Sequence, residues 1–262
     1  MEKPPLSLYE SVLNQSSDQI ISNWLSGRKY TRTLFTQKAF GKLYPMKYTK
    51  LSLCIDAMVN ILDDFFDEIL DKRTKANYII EFLRVFSTYE SECPRKIHKA
   101  LKNYFEKLIT LAVAEGFYQQ QIVQEKDINK IAKDSADLLV CRRQDIDVFI
   151  EIALLTYKNR KVIPQIKKIG RIFRALNILK KDIKDIEHDT KNNIDTVVTL
   201  VFSNEKIDFS VYINILLNLF SKKLDPILKS INKKDLQLVP IYNLNKMIEK
   251  EKKEIFKIIQ SI

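Results

Sequence analysis

The sequence predicts an all-α protein, a single-domain helical bundle spanning residues 1–262. Three observations lead there. Long segments repeat apolar residues at i, i+3 and i+4, the period of an amphipathic helix. Glycine (4) and proline (7) are scarce in 262 residues. Hairpin signals of the Asn-Gly or Asp-Gly kind hardly occur, which leaves little to turn a β-sheet. Hydrophobic residues at 45% and charged residues at 29% allow a well-filled core and argue against disorder.

About ten helices follow from the pattern. The first runs from about 8 to 26 and stops at Gly27, ahead of the basic stretch Arg28-Lys29-Tyr30-Thr31-Arg32. Gly41 to Pro45 is a break, and Pro45 permits a new helix over about 46–71. Helices over 74–90 and 94–124 come next, Pro94 opening the second. Asp127 caps a helix to about 140 and Asp145 another to about 158. Pro164 stands near the start of a long helix ending around Lys191-Asn192-Asn193. Two or three further helices fill 194–262, broken at Asn204-Glu205, Pro226 and Pro240. The last stretch, Asn245 to Ile262, alternates Lys and Glu with Met, Ile and Phe. It reads either as a helix packed on the bundle or as a peripheral membrane-surface helix, and packing is the commoner outcome.

Composition excludes several classes. No apolar run reaches the roughly 18 residues that span a bilayer, and Met1-Glu2-Lys3-Pro4-Pro5 lacks the apolar core of a signal peptide. The expected compartment is the cytoplasm. Cys54, Cys93 and Cys141 have no paired spacing and read as reduced thiols, Cys54 and Cys141 in the core. Two histidines, His98 and His188, leave little room for a His-based relay or zinc site, so oxygen ligands are the natural chemistry. The net charge of +11 is spread over nearly every helix and mixed with acids. With no zinc finger or RNA-binding signature beside it, it reads as a Lys-rich surface that attracts anions, not as a nucleic-acid interface.

Against that basic background two acidic rows stand out. Asp56, Asn60, Asp63, Asp64, Asp67 and Asp71 fall within a stripe roughly 100° wide on a single helix. Asp182, Asp185 and Asp189 fall within about 60° on another. Like charges one turn apart are destabilising, and buried carboxylates far more so. Such rows persist where water or cations neutralise them. Two facing rows across a central cavity suit divalent ions gripping a diphosphate.

The residues around these rows resemble a known family. Leu43-Tyr44-Pro45, seventeen residues, then Asp63-Asp64-Phe65-Phe66-Asp67-Glu68 is similar to the first half of squalene and phytoene synthases. Those enzymes carry Leu-Leu-Pro followed at that spacing by an Asp-Asp-x-x-Asp motif. Gly170-Arg171-Ile172-Phe173-Arg174-Ala175-Leu176-Asn177-Ile178-Leu179-Lys180 resembles their Gly-x-x-Leu-Gln-x-x-Asn-Ile-Leu-Arg stretch, which opens the second metal motif. The wider resemblance is to the class I isoprenoid (terpenoid) synthases, all-helical enzymes that include trans-prenyltransferases and terpene cyclases. It covers roughly 43–71 and 166–193.

The resemblance implies an isoprenoid-synthase fold and two or three Mg²⁺ ions. It implies metal ligands among Asp63, Asp64, Asp67, Asn177, Asp182, Asp185 and Asp189, with Asp63, Asp64, Asp67 and Asp185 as catalytic residues. A prenyl diphosphate is the implied substrate. Arg142, Arg143, Lys181 and Lys184 are candidates to neutralise its diphosphate; each taken singly reads equally well as a surface ion pair. Phe65, Phe66, Tyr104 and Phe117, with Phe105 and Tyr118, are candidates to line the cavity and face a carbocation, although an aromatic at helical spacing is more often plain core.

Departures from the pattern keep three readings open. In the gapless register Asn177, Lys181 and Asp185 take the second-motif positions, so a lysine stands at a metal position. A one-residue shift offers Asp182, and a cyclase-like register offers Lys181, Asp185 and Asp189. Asn60 stands where many phytoene synthases have Arg, and Asp56 where they have Tyr. Leu138 to Asp145 replaces an Ala-Gly-rich stretch that includes a Tyr. The readings are a transferase joining two prenyl diphosphates, a cyclase (lyase) acting on one, and a non-catalytic helical relative or partner subunit.

Overall fold

A computed structural model of the protein describes residues 15–26, 32–67, 71–157, 160–192, 194–236 and 238–260. Among them are thirteen α-helices and no strand. In chain order they are α1 (Ser17–Leu25), α2 (Arg32–Phe40), α3 (Thr49–Asp67), α4 (Lys72–Glu92), α5 (Arg95–Gln124), α6 (Ile128–Arg142) and α7 (Ile146–Ala153). There follow α8 (Ile163–Lys184), α9 (Ile186–Lys191), α10 (Val197–Phe202), α11 (Phe209–Lys229), α12 (Lys233–Leu236) and α13 (Val239–Ile259). Short 3₁₀ turns occupy Gly41–Leu43, Met46–Tyr48, Arg143–Asp145 and Arg160–Val162.

The helix starts follow local chemistry. Asp127 accepts a hydrogen bond from the Asn129 N–H at 2.9 Å, Asp208 from Val211 at 2.9 Å, and Thr196 from Thr199 at 3.1 Å within a capping box. Pro94, Pro164 and Pro240 stand in or next to the first turns of α5, α8 and α13, where a missing N–H has no intrahelical partner to lose.

Four boundaries differ from the sequence expectation. Asp71 is not on the helix of the acidic row. Its carboxylate accepts from the Arg73 and Thr74 N–H groups at 2.7 and 3.0 Å and caps α4. Pro226 does not break α11, because it falls in the last turn before Lys229. The long helix after Pro164 is interrupted at Asp185, which ends α8 and starts α9. The helix opened by Asp145 stops at Ala153 rather than near 158.

α8 is the hub. It packs against α13 over its length and also against α6, α7 and α11, while α3 packs on α4, α1 and α2. α2 in turn meets α7 and α13. The two halves therefore join through α2, α7 and the Arg143–Asp145 turn, and α3 and α8 share no extensive contact. α8 packs close to α7 at Gly170, where a Cβ would lie 2.7 Å from Ile150 Cδ1 and oblige that side chain to shift. One continuous apolar cluster includes Ile20, Phe40, Met58, Tyr89, Phe149, Ile166, Leu179, Phe220 and Ile255.

α13 buries Ile241, Leu244, Ile248 and Ile255 against the bundle, so the packing reading holds for the C-terminal helix as far as Gln260. Cys54 is buried, which pushes its thiol up to about 11. Cys141, expected in the core, is exposed, because α6 buries the face made by Ile131, Ala132, Ser135, Ala136, Leu138 and Leu139. No helix among the described residues is long and apolar enough to cross a membrane.

A buried ion pair fixes α13 to α8. The Lys180 ammonium lies 2.5 Å from Glu251 and 2.8 Å from Glu254. Removing one partner leaves an uncompensated charge, which costs about 3–5 kcal/mol. Lys180→Met should lower unfolding free energy in urea by that amount. Adding Glu251→Met should recover most of it, and a recovery below about 1 kcal/mol would show that the pair is not coupled.

Candidate functional site

Arg32 opens α2 on the helix face that also carries Phe35, Thr36, Ala39 and Phe40, so its guanidinium enters the protein interior. Four side chains from two other segments receive it. Nη1 donates to Asn60 Oδ1 at 3.0 Å and lies 3.4 Å from Asp56 Oδ1. Nη2 donates to Asp63 Oδ2 at 3.0 Å, and Nε donates to Asp145 Oδ2. The backbone N–H groups of Arg32 and Thr33 also donate to Asp56, at 3.1 and 2.8 Å, so Asp56 on α3 caps α2 from across the fold.

Burial lowers the Arg32 pKa, but Asp145, Asp63 and Asp56 outweigh it and hold the group well above its ordinary value. Asp145 is the mirror case: burial raises its pKa, and Arg32, Arg174 and Arg143 outweigh that and keep it low. Its contribution to stability is thus present above the ordinary aspartate pKa near 3.9 and is lost as pH falls through the lower folded value.

Two more arginines reach the same region. Arg143, in the turn before α7, and Arg174, on α8, each have a buried Nε with no hydrogen-bond partner among the described residues. Nη1 of Arg174 donates to Asn177 Oδ1 at 2.9 Å. Burial, then the nearby Arg32 and Arg143 charges, pull Arg174 down to about 10 despite Asp145. Burial and the neighbouring Arg142 lower Arg143, while Asp145, Asp182 and Asp63 oppose the shift. Arg143 is therefore within electrostatic reach of both acidic rows. The Tyr104 phenol is buried beside them and pushed upward, by desolvation and then by Asp145 and Asp63.

The second row meets this cluster through Asp182. It is half-buried, and desolvation pushes its carboxyl up to about 6, with Asp189 adding to the rise and Arg143 and Lys181 opposing it. Asp189, with a side chain 13% exposed, lies 3.3 Å from His188 Nδ1. Asp185 is half-buried at the break between α8 and α9.

The sequence candidates divide accordingly. Asp63, Arg143, Asp182, Asp189, Tyr104 and Asn177 belong to one polar region. Asp64 is half-buried beside Asp63. The side chains of Phe66 and Asp67, and Glu68 altogether, lie outside the described residues. Arg142 pairs instead with Glu115, and Lys181 and Lys184 are exposed. Phe65 lies 6.0 Å below the Lys75 ammonium of α4. Phe117 is 62% exposed, which does not suit the cavity wall expected of it. Arg32, Asp145 and Arg174 were missed as site residues. The available signal was a charged residue on an otherwise apolar helical face.

Among the described residues no group of three His, Cys, Asp or Glu side chains forms a metal cage. A central cavity is not shown among the described residues either. A surface cleft of about 420 Å³ is lined by Asp147, Glu151, Ile163, Pro164, Lys167, Lys168 and Arg171. Most of its charges are already matched, Arg171 to Asp147 at 2.9 Å and Lys167 to Glu151 at 2.6 Å, while Lys168 is exposed. No family model matches the chain, and no curated protein or solved structure matches it either.

Two measurements test this network. Arg32→Met leaves Asp56, Asp63 and Asp145 facing one another without a cation, and the expected loss is about 3–5 kcal/mol in denaturant unfolding; a loss below about 1 kcal/mol would remove Arg32 as the centre of the fold. Asp182 has the opposite sign. A folded pKa of about 6, above the unfolded value, means its ionisation destabilises the protein as pH rises from about 4 through 6. Asp182→Asn should therefore stabilise the protein at pH 8 by on the order of 2–3 kcal/mol and leave it unchanged at pH 4.

Proposed function

We propose that the protein is a Mg²⁺-dependent class I isoprenoid synthase that ionises a prenyl diphosphate, most like the squalene- and phytoene-synthase type of prenyltransferase. The observation that carries this reading is the position of Arg143. It feels Asp63 of the first acidic row and Asp182 of the second, and both it and Arg174 hold a buried Nε without a partner among the described residues. Guanidinium donors of that kind, flanked by carboxylates from two helices, suit a diphosphate bound together with divalent cations.

The donor set fits Mg²⁺, which takes one or two carboxylates per ion and completes its octahedron with water and phosphate oxygens. Asp63 engages Arg32 through Oδ2, and its side chain is 37% exposed. The raised Asp182 carboxyl marks an anion that nearby cations do not fully neutralise. Asp63, with Asp64 and Asp67, would hold ions on one side, and Asp182, Asp185 and Asp189 on the other. Asn177 already accepts from Arg174 and is the weaker candidate. Bound Mg²⁺ supplies Lewis acidity toward the leaving diphosphate. Arg143 and Arg174 would take up charge on the diphosphate oxygens as the allylic C–O bond breaks and the electron pair leaves with them. Tyr104, buried beside this region, would present its ring to the developing cation.

One observation favours the non-catalytic alternative. Arg32 already supplies a cation to Asp56 and Asp63, so part of the first row is neutralised without metal. Activity separates the two. Purified protein with Mg²⁺ and C10 to C20 prenyl diphosphates should release diphosphate and a hydrocarbon product, and chelator should stop it. One substrate consumed per product would indicate a cyclase, two a transferase, and no turnover on any substrate would leave the non-catalytic relative.

Asp63→Asn and Asp185→Asn should each abolish turnover with the fold intact by circular dichroism. Thermal shift should show a clear rise with Mg²⁺ and pyrophosphate together and little with either alone. An equal rise with pyrophosphate in chelator would mean that the arginines bind the anion without metal. Lys181, which two of the three registers put at a second-motif position, is exposed. Lys181→Ala should weaken binding if the lysine reaches diphosphate, whereas Lys181→Asp should raise activity if the lysine blocks a metal position.

A further inference from the structure

We infer that the protein docks on anionic membrane surfaces through the double turn between α2 and α3, residues 41–47, and not through its C-terminal helix. The charge pattern is the first support. Between Asp18 and Asp56 the chain contains no Asp or Glu, while Arg28, Lys29, Arg32, Lys38, Lys42, Lys47 and Lys50 fall in that interval. Arg32 is consumed in the interior and Lys50 pairs with Asp18. Lys38, Lys42 and Lys47 are exposed around the turn. The interval is one-signed in sequence, as is the run between Glu151 and Asp182 that forms most of α8, and its exposed lysines around the turn are complementary to acidic headgroups.

The second support is what stands among those lysines. Leu43 is 38% exposed and Met46 is 68% exposed, the latter the largest value among the exposed large apolar side chains of the described residues. They are held outward by a fixed backbone. Gly41 takes φ +51°, the Tyr44 N–H donates to Gly41 O at 3.0 Å, and the Tyr48 N–H donates to Pro45 O at 2.9 Å. Between them Tyr44 is turned into the core. A short anchored protrusion with two apolar tips ringed by lysines matches a surface that is apolar a few ångströms beneath an anionic layer. A nucleic acid would match the lysines but give Met46 and Leu43 nothing to enter. The C-terminal helix, whose sequence also suggested membrane contact, has its apolar face occupied by α8.

Vesicle co-sedimentation tests this with the full chain. The wild type should bind phosphatidylglycerol-containing vesicles, bind pure phosphatidylcholine vesicles far less, and release as salt rises from 0.1 to 0.5 M. Met46→Glu with Leu43→Ser should cut binding about tenfold or more, and Lys42→Glu or Lys47→Glu about fivefold or more each. All four positions are exposed, so melting temperature and circular dichroism should not move. Phe256→Glu, on the exposed face of α13, should leave binding unchanged. Failure of the wild type to bind anionic vesicles would overturn the inference. So would binding that survives Met46→Glu with Leu43→Ser, including the case in which duplex DNA competes equally well for both proteins. None of these readings depends on turnover, so they stand or fall separately from the proposed chemistry.

Discussion

The Arg32 guanidinium is the interaction on which the interior depends. A buried ion costs several kcal/mol in lost hydration even after relaxation, and here Asp56, Asp145 and half-exposed Asp63 surround a single cation. The arrangement persists because every contact does a second job. Asp56 also accepts the first two N–H groups of α2, Asp145 also accepts the N–H of Ile146 at the start of α7, and Asp63 keeps one face toward solvent. The ion cluster thus completes helix ends that would otherwise present unpaired donors inside the protein. It is as much a joint between α2, α3 and α7 as an electrostatic pair.

Charge and hydrogen bonds are distributed differently around that joint. Counted as charges, Asp56, Asp63 and Asp145 balance Arg32, Arg143 and Arg174. Counted as hydrogen bonds, Arg32 takes the close contacts, and Arg143 and Arg174 are held nearby with a buried Nε unmatched among the described residues. Both are lowered, Arg174 to about 10, because burial and neighbouring arginines act together on them. Unmatched buried donors are destabilising. Among the described residues two such donors lie in the polar region that also holds Asp182, whose carboxyl is raised to about 6, and on the proposed reading an external anion would be their partner.

Helix type and most helix starts were legible in the sequence, since Asp127, Pro94, Pro164 and Pro240 act within a turn of where they stand. Asp71 was misread because an aspartate that caps the next helix and one that ends the previous helix lie at the same angle. Thr74, three residues on and donating its hydroxyl to the same carboxylate, was the local clue. Pro226 was misread because a proline in the last turn of a helix is indistinguishable from a break without knowing where the helix ends. Arg32 could be suspected of burial from its helical face, but its partners could not be read. Its partners lie 24, 28, 31 and 113 positions away, and no local pattern reports such separations. The acidic row itself was found, but the cation that first neutralises it could not be named from the row.

The second row owes its character to the way α8 is fixed. Early in the helix Lys167 and Arg171 are tied to Glu151 and Asp147 of α7, and on another face Lys180 is tied to Glu251 and Glu254 of α13. Arg174 and Asn177 point to the Arg32 region between those ties. Lys180 and Lys181 are neighbours about 100° apart on the helix, so the first is committed to α13 while the second is left at the surface. Asp182 and Asp189 are correspondingly half-buried while Lys181 is exposed. α8 then ends at Asp185, beyond its last ion pair, and the chain turns into the short α9. The arginine side of the region is therefore set on a helix tied at two faces, while Asp185 and Asp189 stand beyond the last of those ties, Asp189 held one turn on by its N–H bond to Asp185 O at 2.8 Å. On the proposed reading, the guanidinium donors and these carboxylates would meet a metal-bound anion from different segments of one helix pair.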